Sequence, residues 1–208
     1  MTQQEVWQIA TQNLAQNTFQ PRVHSFSQKF EFSLGSQQLL DVAILKNCIS
    51  DCVSVIKTEE VLDRSGIDYV AHLSGGALIN IDAKTREPGA SKYWRYNEPE
   101  LALETWSVVP DRTHSGKCGW TLNTASQVDY ILYTYDRADT DKFYLLPFQF
   151  LRTVFARNEE AWSKKYMRKR QESKEYKGWY SEAIFVPASI VISKINEVMT
   201  GNIYQTLT

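Results

Sequence analysis

The chain has 208 residues, of which 43% are hydrophobic, 23% charged and 12% aromatic, a profile that suits one folded soluble domain and excludes disorder, collagen and coiled coil as whole-chain readings. Twenty-three Lys and Arg against 24 Asp and Glu leave a formal charge of −1, so a polyanion would have to be held by a local patch, not by global charge. No apolar run is long enough for a membrane span, and the opening Met1-Thr2-Gln3-Gln4-Glu5-Val6-Trp7 lacks the charged head and apolar stretch of a secretory signal, so a cytoplasmic protein with no membrane partner is expected.

In chain order, Glu5 to Asn17 carries Val6, Ile9, Ala10 and Leu14 near helical spacing, with Thr2 three residues before Glu5 as a capping box. Gln37 to Ile49 repeats the helical pattern through Leu40, Ala43, Ile44, Cys48 and Ile49. From Ile67 the pattern changes. Ile67–Leu73, Ala77–Arg86, Leu101–Val109 and Val128–Tyr135 are short, rich in β-branched and aromatic residues, and separated by turn formers, which predicts four strands. Two strand–proline–helix units follow: residues 143–147 lead into Leu151, Val154, Phe155 and Trp162, and residues 184–187 lead into Val191, Ile195, Val198 and Met199. No linker or low-complexity tract interrupts this order, so a single α/β domain over residues 1–208 is the simplest expectation.

The cysteines, Cys48, Cys52 and Cys118, form no CxxC pair, and His24, His72 and His114 are far apart in the chain. Neither a disulfide framework nor a zinc cluster is expected, and the thiols read as buried or idle.

Chemistry concentrates between Gly66 and Lys84. Ser74-Gly75-Gly76 supplies a tight turn, so residues 67–73 and 77–84 should pair as an antiparallel hairpin. A turn centred on Gly75 sets Asp68 opposite Asp82. Strand alternation then places Asp82 and Lys84 on one face and Ile79, Ile81 and Ala83 on the other. Facing carboxylates repel, and a divalent cation between them would remove the repulsion. Paired carboxylates suit Mg²⁺ or Mn²⁺, which keeps positions open for water and phosphate oxygens, and a neighbouring lysine can orient the attacking water. The reaction this arrangement fits is phosphodiester hydrolysis. A surface ion pair between Asp68 and Lys84, with no function, is the competing account.

Asp68 followed by Asp82-Ala83-Lys84 resembles the PD-(D/E)XK nuclease superfamily, with Ile67 standing where the hallmark has proline. The resemblance implies a restriction-endonuclease-like αβββαβ core with a mixed central sheet flanked by helices, over about Gln37 to Phe155, and helical additions at both ends. It also implies Asp68, Asp82 and Lys84 as catalytic residues, with Asp68 and Asp82 as metal ligands. Glu104, on the expected third strand, is either a further ligand, as third-strand acids are in several families of this kind, or a solvent-facing carboxylate. Glu5 and Glu60 are weaker candidates for a helix-borne acid.

Basic residues cluster locally. Lys164, Lys165, Arg168, Lys169 and Arg170 fall in a run that reads either as a phosphate-binding stretch or as a solvated helix end or flexible loop. Lys92 and Arg95 sit among Tyr93, Trp94 and Tyr96 in the loop after the second strand, and Lys117 lies beside Trp120 in a glycine turn. Each reads as a nucleic-acid contact or as ordinary packing. The leading expectation is a Mg²⁺- or Mn²⁺-dependent endonuclease acting on DNA, with RNA as an alternative substrate, in a phage, mobile-element or DNA-processing context. Cutting two strands would call for a homodimer or a larger nucleoprotein complex. The rivals are an inactive nuclease-fold protein that binds nucleic acid or assembles with it, and a protein–protein module.

Overall fold

The structure, a computed structural model, describes residues 34–58, 66–86, 89–111, 115–136, 139–140, 142–172 and 179–205. The helix expected over Glu5–Asn17, and with it Glu5, lies outside the described residues, as does Glu60. The chain is an α/β protein that gathers into two compact units, Met1–Ala90 with Gln127–Pro147, and Ser91–Ser126 with Phe148–Thr208.

The first unit is built on a mixed five-stranded sheet. Helix α1 (Leu34–Cys48) turns Asp41, Ile44, Leu45 and Cys48 inward at helical spacing. Its apolar members join Tyr69, Ala71, Leu73, Ile79, Ile81, Tyr130, Leu132 and Leu145 in one core. The strands are β1 (Cys52–Lys57), β2 (Tyr69–Leu73), β3 (Leu78–Thr85), and then, after a long excursion, β6 (Tyr130–Thr134) and β7 (Tyr144–Pro147). Their order across the sheet is β1-β2-β3-β6-β7. All neighbours are antiparallel except β3 and β6, which run parallel. A parallel pair needs a crossover, and residues between Arg86 and Asp129 provide it. β1 was not foreseen, because Ile49 and Cys52 continue the apolar pattern of the preceding helix. As an edge strand with a bulge between Cys52 and Ser54 it leaves Val53 and Ile56 exposed, so it lacks clean alternation.

The second unit contains β4 (Glu100–Val108), the two-residue β5 (Lys117–Cys118), α2 (Phe148–Lys165), β8 (Met167–Glu172), β9 (Tyr180–Pro187) and α3 (Ala188–Gln205). Its sheet is antiparallel, in the order β5-β4-β9-β8. Leu101 and Leu103 on β4 and Ile184 and Val186 on β9 are fully buried, as are Leu151, Val154 and Phe155 on α2 and Val191 on α3. Gly119 is obligatory, since a Cβ there would stand 2.3 Å from the Glu104 carbonyl oxygen.

Two expectations change. The strand foreseen at Leu101–Val109 forms, but it pairs with β9, and the neighbour of β3 is β6. Every residue of β6 is buried, which fits it for the interior of a mixed sheet. The basic run is neither helix end nor loop throughout, because Met167–Glu172 is an edge strand whose charges suit a position open to water.

Candidate active site

The hairpin register places the acids. Tyr69 pairs with Ile81, Val70 with Asn80, Ala71 with Ile79 and His72 with Leu78, a register centred on Gly75. Gly76 closes the turn at φ +80° while its amide donates to the Leu73 carbonyl at 2.9 Å. The regular pairing ends at Tyr69 and Ile81, and the Asp68 amide also turns to the Ile81 carbonyl, at 2.9 Å, which holds Asp68 at the end of β2 next to the Ile81–Ala83 stretch of β3.

Asp82 and Lys84 alternate with Ile81 and Ala83 and so share the sheet face away from the helix-side core, and Asp68 reaches them from the end of β2. Asp68 Oδ2 accepts the Ala83 amide at 2.7 Å, and its carboxyl lies within hydrogen-bond reach of that of Asp82. Lys84 Nζ donates to Asp82 Oδ1 at 2.7 Å. Asp82 is only 5% exposed, whereas the Lys84 side chain is a third exposed. Burial, opposed by Lys84 and reinforced by the Asp68 carboxyl, pushes the Asp82 carboxyl up to about 7. Among the described residues one lysine faces two adjoining carboxyls, with water removed from one of them.

A third acid stands near this pair on the helix side. Asp41, buried on α1, accepts Gln37 Nε2 at 2.7 Å and the Tyr69 hydroxyl at 2.9 Å. Burial raises its carboxyl above the usual range, the two donors pull it back, and the charge of Asp68 raises it further. Burial and the neighbouring Asp41 hold the Tyr69 phenol far above its ordinary value. The sequence carried a signal for Asp41 that went unread: an aspartate on the core-facing stripe of an amphipathic helix, three residues before Ile44 and four after Gln37. Asp129 has a structural task. It accepts the Asn80 amide at 2.8 Å and returns its own amide to the Asn80 carbonyl, tying the start of β6 to β3.

The other candidates belong to the second unit. Glu104 is on β4, in a different sheet from Asp68 and Asp82, and its Oε2 accepts Ser107 Oγ at 2.7 Å and the Trp120 amide at 3.0 Å. Its visible work is to hold the Gly119–Leu122 turn against its own strand. Lys117 is exposed on β5. Lys164 pairs with Glu160 at 2.5 Å. Arg168 and Arg170 both bind the buried Glu182, Arg170 Nε at 2.8 Å. Lys92 and Lys169 stand about the Tyr93 ring, at 5.1 and 6.0 Å from its centroid, and Lys165 lies 5.3 Å from that of Tyr166. The Arg95 amide donates to Glu100 at 3.1 Å. None of the three cysteines is in a disulfide, with Cys48 buried and Cys118 exposed.

Among the described residues no three His, Cys, Asp or Glu side chains form a ready-made metal cluster. The Asp68–Asp82 pair is nevertheless a hard-oxygen donor set of the size Mg²⁺ uses when water and phosphate complete its shell. No helix among the described residues is long and apolar enough to cross a membrane. No protein-family model, curated protein or solved structure matches the chain.

Proposed function

We propose that this chain is a metal-dependent nuclease of the PD-(D/E)XK type that hydrolyses phosphodiester bonds in DNA. Asp68 and Asp82 would hold Mg²⁺ or Mn²⁺, and Lys84 would serve the attacking water. The observation that carries the reading is the contact between the two carboxyls with Lys84 on Asp82, together with the displacement of Asp82 to about 7. A buried carboxyl pair with too little positive charge is what a divalent cation would correct. The order of elements supports the finer fold assignment, since α1, three antiparallel strands and then a strand parallel to the third follow the αβββαβ sequence. The β3–β6 connection departs from that core. Among its described residues it carries β4 and β5 where the family has a helix.

A bound cation would neutralise charge developing on the phosphate and acidify a water. The chain's own residues do the rest. The Ala83 amide holds Asp68 Oδ2 in place, so one ligand is oriented by backbone and not by a mobile partner. Asp82, raised to about 7, would have to give up its proton to serve as a ligand. Lys84, anchored at Asp82 Oδ1 and partly open to solvent, keeps an ammonium beside the carboxyl pair and can donate to a water or a phosphate oxygen.

The test is Mg²⁺-dependent nicking of supercoiled plasmid, run beside Mn²⁺ titration of the protein. Wild type is expected to nick and to bind Mn²⁺. Asp82→Ala is expected to lose both while keeping the wild-type circular dichroism spectrum. Full nicking by Asp82→Ala in Mg²⁺, or a wild type that neither nicks nor binds Mn²⁺, would overturn the proposal.

A further inference from the structure

Two stretches far apart in sequence, Lys92–Tyr96 and Lys165–Lys169, meet on the surface of the second unit. The Tyr93 ring is 63% exposed and Tyr96 47% exposed. Lys92 Nζ stands 5.1 Å and Lys169 Nζ 6.0 Å from the Tyr93 centroid. Tyr96 meets the buried Tyr166 edge to face at 5.8 Å, and Lys165 Nζ lies 5.3 Å from the Tyr166 centroid. Singly, an exposed tyrosine is ordinary. Two of them set among three lysines, none in an ion pair among the described residues, form a platform with a charge lining.

The neighbouring arginines are accounted for otherwise. Arg168 and Arg170 both turn their guanidiniums to Glu182, whose carboxyl also accepts Thr105 Oγ1 at 3.1 Å. Among the described residues of the basic run, Lys165 and Lys169 are the ones not paired with Glu160 or Glu182, and they lie beside the tyrosine rings. In a protein of net charge −1, such a patch is a local departure from the average and not a consequence of it.

We infer that this surface is a binding site for single-stranded nucleic acid, with Tyr93 and Tyr96 stacking on unpaired bases and Lys92, Lys165 and Lys169 holding the flanking phosphates. Stacking needs a base face, which a duplex hides within its own stack and a single strand presents. Ammonium groups about the ring hold phosphates without reading bases, so binding tolerates sequence and falls with salt. The site stands whether or not the hairpin acids cut, because it needs neither Asp68 nor Asp82.

Fluorescence anisotropy with a labelled deoxythymidine 20-mer, its ribonucleotide counterpart and a duplex of the same length, all in EDTA, tests this. Wild type is expected to bind both single strands more tightly than the duplex. Tyr93→Ala should weaken single-strand binding about tenfold and Tyr93→Trp should restore it, since stacking of one base is worth about that much. Lys92→Ala with Lys169→Ala should lower the slope of log affinity against log salt by about 1.4. Because no divalent cation is present, the outcome does not depend on nicking, which separates this site from the nuclease assignment. A wild type that prefers duplex or binds none of the probes, or a Tyr93→Ala protein of unchanged affinity and spectrum, would overturn the inference.

Discussion

Asp82 and Glu182 are strand carboxylates of nearly equal burial, 5% and 4% exposed, with opposite electrostatic fates. Burial pushes against ionisation in both. At Glu182 two guanidiniums and the Thr105 hydroxyl outweigh burial, and the carboxyl lies below its usual range. At Asp82 one ammonium is set against burial and a second carboxyl, and the group rises to about 7. Glu182 is thus a completed ion cluster that the fold satisfies from within. Among the described residues Asp82 has one ammonium against a second carboxyl, which is why a cation is proposed there.

The largest way to sharpen this contrast is to remove the ammonium paired with Asp82. Lys84→Ala is expected to retain Mn²⁺ binding within about tenfold while turnover in the nicking assay falls by roughly 10²-fold, the scale of a positioned proton-transfer group. Unaltered turnover would take the lysine out of the mechanism and leave the acids as metal ligands only.

Removing the satisfied carboxyl should act on stability and leave catalysis alone. Glu182→Ala strands two guanidiniums and a hydroxyl, and because both arginines reach solvent the expected loss is about 1–3 kcal/mol, less than for a wholly buried pair. A urea titration with unchanged m-value and a lowered midpoint would read it. A simultaneous loss of Mg²⁺-dependent nicking in the folded variant would show that the two carboxylates are not as separate in function as their electrostatics imply.

How much of this was legible in the residues depends on range. The hairpin register was local: a glycine turn was enough to centre it on Gly75, as the pairing of Tyr69 with Ile81 bears out, and strand alternation was enough to put Asp82 and Lys84 on one face. The partners of β4 were not local. Its alternation marks it as a strand but is silent on whether its neighbour lies next in sequence or some 80 residues away on β9, so Glu104, open between a further ligand and a solvent-facing carboxylate on an expected third strand, turns out to lie in another sheet. Arg168 and Arg170 were legible as charge but not as partners of Glu182, since that bond crosses strands whose pairing the sequence does not announce. Asp41 was overlooked for a different reason. A polar residue in an apolar stripe reads as noise until the Tyr69 hydroxyl is seen to answer it.

The smallest expected effect is also the one that opposes the two carboxylates most directly. In metal-free protein the folded chain keeps the Asp82 proton up to about pH 7, whereas an unfolded aspartate ionises near ~3.9. Between these values the folded state binds more protons, so the Asp82 contribution to stability falls as pH rises from about 4 to about 7 and stays low above that. Glu182, lowered on folding, carries the reverse sign: it stabilises above its unfolded value, and that stability is lost as pH falls through the folded one. Asp82→Asn cannot ionise. It should melt with wild type near pH 4 and above it at pH 8 in EDTA, by about 2–4 °C for each kcal/mol recovered. Glu182→Gln at pH 8 should melt below wild type. Adding Mg²⁺ at pH 8 should raise the wild-type melting temperature and leave Asp82→Asn where it was, because a cation that binds the folded state stabilises it only where its ligand survives. Equal melting of Asp82→Asn and wild type at both pH values, with no response of either to Mg²⁺, would mean that Asp82 is as well satisfied as Glu182 and that the contrast between them is not functional.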